Sequence, residues 1–351
     1  MAPRKVGSCR IVRELGRGGM GVVFEAFQEG LDRRVAIKAL DAKLARSREL
    51  TERFRREGRA YAQLRHSAVV AVHDMVEKDD TLYLVTDFVD GADLAKILSK
   101  GGPIDASALA VIGARVAEAL DYVHFNKLLH RDVKPANIML SRDGEVKLMD
   151  FGIAKDQTAS DLTRVGMLVG SPSYLSPEVL AGDPADPRSD IWALGVTLYE
   201  LAAGEKPFRG NDAEALFDAI RSGGHAHLRS VAPHVPRGLA RIIERCLEHK
   251  PRARWKTAGM LARELDACAA KLLRGMHPQA RIVAFMAHRG YAQREEALTR
   301  IDASSLLATR AADEGEGTAP VVPPSGGMLW RWAVAVLVAI GVGAAALLVR
   351  L

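Results

Sequence analysis

The stretch HRDVKPANIMLSRDGEVKLMDFG, residues 130–152, crowds an Asp, a Lys and an Asn ahead of one short apolar run and sets another Asp after a second. Asp143-Gly144 is a strong signal for a two-residue hairpin loop, with strands predicted over 138–140 and 145–149. Folding about that pair predicts Asn137 opposite Asp150, each six residues outside the turn. Two oxygen ligands at the open end of one hairpin suit a hard cation such as Mg²⁺, which takes few protein oxygens and completes its shell with phosphate and water. A surface hairpin with polar ends accounts for the same residues, and both readings stand at this point. Asp132 has the chemistry to accept a proton from, or orient, an attacking hydroxyl. Lys134 has the chemistry to neutralise charge on a moving phosphoryl group. Taken singly, each is equally a solvated loop residue.

Two further stretches carry chemistry. ELGRGGMGVVFEA spaces Gly16, Gly18 and Gly21 as GxGxxG between two predicted strands. A strand rather than a helix follows, which argues against a dinucleotide-binding turn. A glycine hairpin can instead lie flat over phosphates, because backbone N–H groups approach where side chains are absent. VAIKAL buries Lys38 in an apolar strand, where an unpaired ammonium is costly. A helix predicted over 48–65 carries Leu50, Phe54, Tyr61 and Leu64 as a buried stripe, with Glu57 inside it. Lys38–Glu57 is the economical pairing; a Glu57 that reaches water is the alternative. Gly58, next to Glu57, weakens that helix by about 1 kcal/mol relative to Ala.

These residues need a scaffold, and the chain is long enough to supply one. Its 351 residues are 48% hydrophobic and 26% charged, with a formal net charge of +6. Lys and Arg are interspersed with acids, and no basic stripe with aromatics is found, so nucleic acid is not an expected partner. Cys9, Cys246 and Cys268 form no CxxC pair and no even disulfide framework, which points to a reducing compartment. No signal peptide is visible. His225, His227 and His234 lack nearby Cys or acid partners and read as loop residues without metal.

Strand alternation over 10–40, a helix over 48–65 and strands over 69–77 and 81–89 predict a small β-rich lobe with one key helix. From Ala92 onward helical periodicity dominates, and SDIWALGVTLYELAAG is apolar nearly all round, the mark of a buried helix. Residues 271–310 read as a helical extension, 311–327 as a Pro- and Gly-rich flexible linker, and 328–350 as a membrane-spanning helix. Ala333 to Val349 holds no charged or strongly polar side chain, and seventeen helical residues span about 25 Å. Trp330 and Trp332 suit an interfacial belt, and Arg331 and Arg350 can snorkel.

Six motifs stand in one order: LGRGGMGVV, VAIK, HRDVKPAN, DFG, GSPSYLSPE and SDIWALGVTLYEL. In sequence and spacing the chain resembles the protein kinase family, and within it the bacterial Ser/Thr kinases of eukaryotic (Hanks) type. The resemblance covers about 9–270. It implies an α+β, bilobal protein-kinase-like fold, with a small lobe over 9–87 and a larger, mainly helical lobe over 88–270. By resemblance, Gly16, Gly18 and Gly21 cover the ATP phosphates. Lys38 contacts the α- and β-phosphates and is held by Glu57. Val23 and Ala36 sandwich adenine, Thr86 is the gatekeeper, and Asp87 and Val89 offer backbone groups to the base. Asp132 is the catalytic base, assisted by Lys134, while Asn137 and Asp150 ligate Mg²⁺, with Mn²⁺ as an alternative. Glu178 pairs with Arg254, and Asp190 holds the catalytic loop.

The same resemblance implies transfer of the γ-phosphoryl group of ATP to Ser or Thr hydroxyls of proteins. Lys134 matches the Ser/Thr-specific form of the loop. Arg131, just before Asp132, implies activation by a phosphate in the segment 150–178, with Thr163 the first choice for autophosphorylation. Ser171 keeps a hydroxyl to bridge Asp132 and Lys134, and Val165 stands where some relatives carry a second Thr. ATP supply places the kinase domain in the cytoplasm, anchored to the cell inner membrane by a single C-terminal span. Members often pair through their small lobes, so a homodimer stays open. A pseudokinase scaffold and a small-molecule phosphotransferase of the same fold are the alternatives.

Overall fold

The computed structural model describes residues 3–18, 21–40, 48–79, 81–151 and 172–293. All of them lie in one compact unit, Met1–Asp302. The predicted linker and membrane-spanning helix, at 311–327 and 328–350, fall outside the described residues.

The small lobe is an antiparallel sheet. Strands β1 (Lys5–Val6), β2 (Cys9–Gly18), β3 (Gly21–Gln28), β4 (Arg33–Leu40), β5 (Val72–Lys78) and β6 (Thr81–Asp87) lie in the order β1-β2-β3-β4-β6-β5. Successive side chains of a strand point to opposite faces, and VAIK uses both. Val35 and Ile37 join Phe24, Ala26, Tyr83 and Val85 in one buried cluster. Ala36 and Lys38, one step out of phase, line a cavity on the other face. Helix α1 (Arg48–Tyr61) is the one α-helix of this lobe among the described residues, and it stops four residues short of the predicted end at 65. The strand predicted over 69–77 begins only at Val72, because 68–70 bond elsewhere: Val70 N–H donates to Leu148 O and Leu148 N–H donates to Ala68 O.

The large lobe opens with β7 (Gly91–Asp93), α2 (Leu94–Gly101) and α3 (Ala106–Phe125), then β8 (Ile138–Ser141) and β9 (Val146–Leu148), with the strands in the order β7-β8-β9. Helices α4 (Pro177–Leu180), α5 (Pro187–Ala203), α6 (Ala213–Ser222), α7 (Leu228–Val231), α8 (Arg237–Cys246) and α9 (Ala258–Leu273) follow. The apolar run in α5 is buried without a break from Asp190 to Tyr199. Its start is set by a reciprocal capping box between Asp186 and Ser189, with Pro187 in the first turn. Gly195 lets α8 approach: a Cβ there would sit 2.5 Å from that of Cys246.

Helix α9 runs through the boundary expected at 270, and a further helix, α10 (Pro278–His288), lies in the predicted extension. It buries Ile282, Val283, Phe285 and Met286. Arg281 donates to Ser107 Oγ at 2.7 Å and to the carboxylate of Asp105, the residue that caps α3. Gln279 Nε2 donates to Asp143 O at 2.8 Å, in the β8–β9 turn, and Arg289 donates to Pro103 O at 2.6 Å. Helix α10 is therefore clasped to the lobe.

Replacing Arg281 by Ala removes charge-assisted hydrogen bonds and should lower the unfolding free energy by about 2 kcal/mol in urea titrations. A stability equal to wild type would show that the clasp holds nothing.

Candidate active site

The β8–β9 hairpin corrects the predicted register. Ser141 N–H donates to Glu145 O at 2.9 Å, so the loop has three residues, Arg142, Asp143 and Gly144, instead of two. Gly144 sits at φ +84°, the conformation that closes a three-residue hairpin with a bulge. The extra loop residue moves the pairing by one: Ile138 faces Leu148, and Met149 N–H donates to Asn137 O at 2.9 Å. Asn137 thus lies opposite Met149 rather than Asp150. Asp150 follows at φ +56° and turns the chain out of the ladder.

Despite that shift the polar residues converge. Asp132 is 8% exposed, and its Oδ2 accepts from Lys134 Nζ and from Asn137 Nδ2, both at 2.9 Å. Asn137 Nδ2 also donates to Asp132 O at 2.7 Å and reaches Asp150 O at 3.4 Å. The predicted Lys38–Glu57 pair is not what the structure holds. Lys38 Nζ lies 3.0 Å from Asp150 Oδ1, and Glu57 Oε1 lies 3.4 Å from Arg131 Nη1. Lys38 and Arg131 carry equal charge, so position decides: Arg131 enters from the loop before Asp132 while Lys38 is engaged by Asp150.

Asp190, in the first turn of α5, fixes that loop. It is 3% exposed and accepts from the backbone N–H of His130 and of Arg131, each at 2.8 Å. His124 Nε2 lies 2.8 Å from the same carboxylate. Burial alone would raise the Asp190 pKa; His124 and the His130 N–H outweigh it and hold the carboxylate below its ordinary range. Arg131 adopts φ +63°, a left-handed backbone that costs a non-glycine residue energy and persists because both ends are held. His130 is fully buried, and burial pushes its pKa down, so its ring is neutral at pH 7. The ring packs on Phe151 at 4.7 Å between centroids, and Phe151 stacks on Tyr61 of α1 at 4.1 Å. Tyr61 Oη donates to Leu129 O at 3.0 Å, which completes a path from α1 to the catalytic loop.

Above these residues opens a cavity of about 450 Å³. Gly16, Val23, Ala36, Lys38, Thr86, Asp87, Val89 and Asp150 all line it. Gly18 pairs with Gly21 at the closed end of the β2–β3 hairpin, beside residues 19–20 that are not described. The Asp87 carboxylate is occupied by His73 Nε2 at 2.6 Å and the Ala71 N–H at 3.0 Å, and Asp87 N–H donates to Ala71 O. Away from the cleft, Glu178 and Arg254 form a two-pronged pair, 2.8 Å in each arm, with the Arg254 side chain fully buried. Thr163 and Ser171 lie outside the described residues.

Several contributors escaped sequence reasoning. Met139, on β8, lines the cavity; its period-two spacing from Asn137 was the available signal. Tyr61 was read only as core. His124 carried no local signal, since its partner is 66 residues away.

A divalent cation fits this donor set. Among the described residues no three His, Cys, Asp or Glu gather into a metal cage, but Mg²⁺ does not need one. Asn137 turns its nitrogen to Asp132, which leaves Oδ1 as its acceptor, and the Asp150 carboxylate supplies hard oxygens.

The family model for the protein kinase domain matches residues 9–265. The chain belongs to the protein kinase family. It is 37% identical over 273 residues to the serine/threonine-protein kinase PknA of Mycobacterium tuberculosis, covering 75% of this chain and 61% of that one. It is 36% identical over 256 residues to PknH of the same organism, covering 73% of this chain and 41% of that one. This kinase therefore spans about two-fifths to three-fifths of the length of those relatives. The crystal structure of the M. tuberculosis PknI kinase domain aligns with a TM-score of 0.63 at 30% identity, covering 77% of this chain and 99% of that one.

Replacing Glu178 by Ala strands a buried guanidinium and should lower the unfolding free energy by about 3–5 kcal/mol. Burial raises the Glu178 pKa but Arg254 outweighs it, so the folded value lies below the ordinary one. The stability from this pair is then complete above the ordinary glutamate range and lost as pH falls through the depressed folded value. Acid titration of unfolding should show that loss in wild type and its reduction in Glu178→Gln.

Proposed function

We propose that this chain is a protein serine/threonine kinase that transfers the γ-phosphoryl group of ATP to Ser and Thr hydroxyls of other proteins. The reading is carried by one observation: the Asp132 carboxylate, held between Lys134 and Asn137, stands beside the Lys38–Asp150 pair at a nucleotide-sized cavity. Asp132 orients the acceptor hydroxyl and takes its proton. Lys134 shares the charge that develops on the transferred oxygens. Lys38 faces the nucleotide phosphates, Val23 and Ala36 enclose the base, Thr86 sets the depth of its pocket, and the backbone groups of Asp87 and Val89 bind its edge. Gly16, Gly18 and Gly21 let the β2–β3 hairpin cover the phosphates. Asn137 and Asp150 would hold Mg²⁺, or Mn²⁺ in its place, which when bound neutralises phosphate charge.

The Arg131–Glu57 contact gives the activation segment its role. A phosphate on Thr163 competes for Arg131, and Glu57 is then released toward Lys38. Ser171 contributes a hydroxyl to the Asp132–Lys134 pair. Anchoring is the second part of the reading. Among the described residues no helix is long and apolar enough to cross a membrane, and the segment 333–349, apolar throughout, lies beyond them. We assign it as a single span in the cell inner membrane with the kinase domain on the cytoplasmic side, where ATP is supplied. Partners are protein substrates, with pairing of two copies through the small lobes as a further state.

Asp132→Asn should bind ATP like wild type while phosphate transfer to a generic basic protein falls by about 10²–10⁴-fold; a variant with undiminished transfer would overturn the assignment. Thr163→Ala should slow activation on incubation with ATP, while Arg131→Ala should abolish the difference between phosphorylated and unphosphorylated protein. Deleting 328–351 should move the kinase from the membrane fraction to the soluble one.

A further inference from the structure

The large lobe carries an uneven charge that the whole-chain composition hides. Residues 237–274 hold ten Lys and Arg against four Asp and Glu, a net of +6. That equals the formal net charge of the entire chain, +6, so the remainder balances to zero. Of these ten cations, Arg254 is buried against Glu178 and the other nine are exposed. Arg237, Arg241 and Arg245 recur every four residues along α8, on one stripe. Arg241, Arg245 and Lys271 of α9 line one open groove of about 370 Å³, together with Glu264.

The cations of this face are also unusually free. Elsewhere Arg13 and Arg34 share Glu25, Arg55 bridges Glu52 and Glu77, and Arg115 bridges Glu118 and Asp266. Among the described residues, Arg237, Arg241, Lys250, Arg252, Lys256 and Lys271 are exposed and make no ion pair. The local acids are partly committed: Asp266 to Arg115, and Glu244 to His227 and the Leu228 N–H. Glu248 and Glu264 are the exposed exceptions.

We propose that the α8–α9 face docks on the anionic lipid headgroups of the membrane that anchors the chain; the proposal rests on the anchoring reading above. Three considerations select lipid over nucleic acid. The groove's aromatic, Trp255, is 6% exposed and lies under Arg245 at 4.0 Å, so no ring is presented for base stacking. A broad field of separate cations suits a plane of headgroups. A flexible linker of the seventeen residues expected at 311–327 would have a root-mean-square span of about 23 Å, so on the anchoring reading the kinase domain would meet its own leaflet at high effective concentration. Screening confines the attraction to about 8 Å at physiological salt, so the face engages only when it lies against the surface. Docking would thereby select one orientation of the kinase toward its substrates.

The test uses the full chain in lipid nanodiscs, either phosphatidylcholine alone or phosphatidylcholine with about one-third phosphatidylglycerol. Lysine acylation read by mass spectrometry reports exposure. Lys250, Lys256 and Lys271 should be labelled severalfold more slowly in the anionic discs, while Lys78, on β5 of the small lobe, keeps its rate. Each cation removed weakens docking by about fivefold, so Arg237→Gln with Arg241→Gln should restore labelling of Lys271 in the anionic discs. Labelling that ignores lipid charge overturns the proposal, as does protection that appears with added duplex DNA and not with lipid. A chain that fails to enter the discs sinks the anchoring reading alone; anionic vesicles added from outside then decide the docking by the same lysines.

Discussion

The catalytic architecture depends on one buried carboxylate. Asp190 uses both oxygens on two consecutive backbone N–H groups, those of His130 and Arg131. A carboxylate with 3% exposure would be costly if left unbonded; here the hydrogen bonds that satisfy it also hold Arg131 in a left-handed backbone at φ +63°. The chain that leaves this clamp presents Asp132 to Lys134 and Asn137. Because Asp190 sits in the first turn of α5, which is buried without a break from there to Tyr199, the loop takes its position from a helix in the core of the large lobe.

Two paths lead from that clamp to the small lobe. One is apolar: His130, Phe151 and Tyr61 stack in series, and the Tyr61 hydroxyl closes the circuit on Leu129. The other is charged: Arg131 reaches Glu57, and Asp150 reaches Lys38. The apolar path resists change, since separating stacked rings exposes area to water. The charged path is held by two separate ion pairs between partly exposed side chains, which cost less to separate than buried rings. A kinase built this way can keep its loop geometry while its ion pairs redistribute.

The kinase also extends past the segment that its family model covers. That match ends at 265, inside α9, yet α10 buries four apolar side chains and bonds to the cap of α3 and to the turn of the β8–β9 hairpin. Any chain attached beyond α10 is therefore connected to a helix in contact with the hairpin that Asn137 and Asp150 flank.

Much of the site was legible in the sequence, because type and spacing constrain local chemistry. The alternation of VAIK determined that Ala36 and Lys38 share a face apart from Val35 and Ile37. The apolar run of α5, and the Asp-Gly pair that marks a turn, needed no tertiary information. Loop length was less legible: Asp143-Gly144 serves a two-residue or a three-residue loop, and the difference moved Asn137 from Asp150 to Met149. The choice of ionic partner was not legible at all. Glu57 on a buried stripe required a cation, and the sequence pointed to Lys38, with water as the alternative. Only the packing of α1 against the catalytic loop decided for Arg131, since ion pairs depend on distances of a few ångströms between residues 74 positions apart, and spacing along a chain carries no such information. The composition stated that the chain is basic; only the fold brought Arg241 and Arg245 of α8 to one groove with Lys271 of α9.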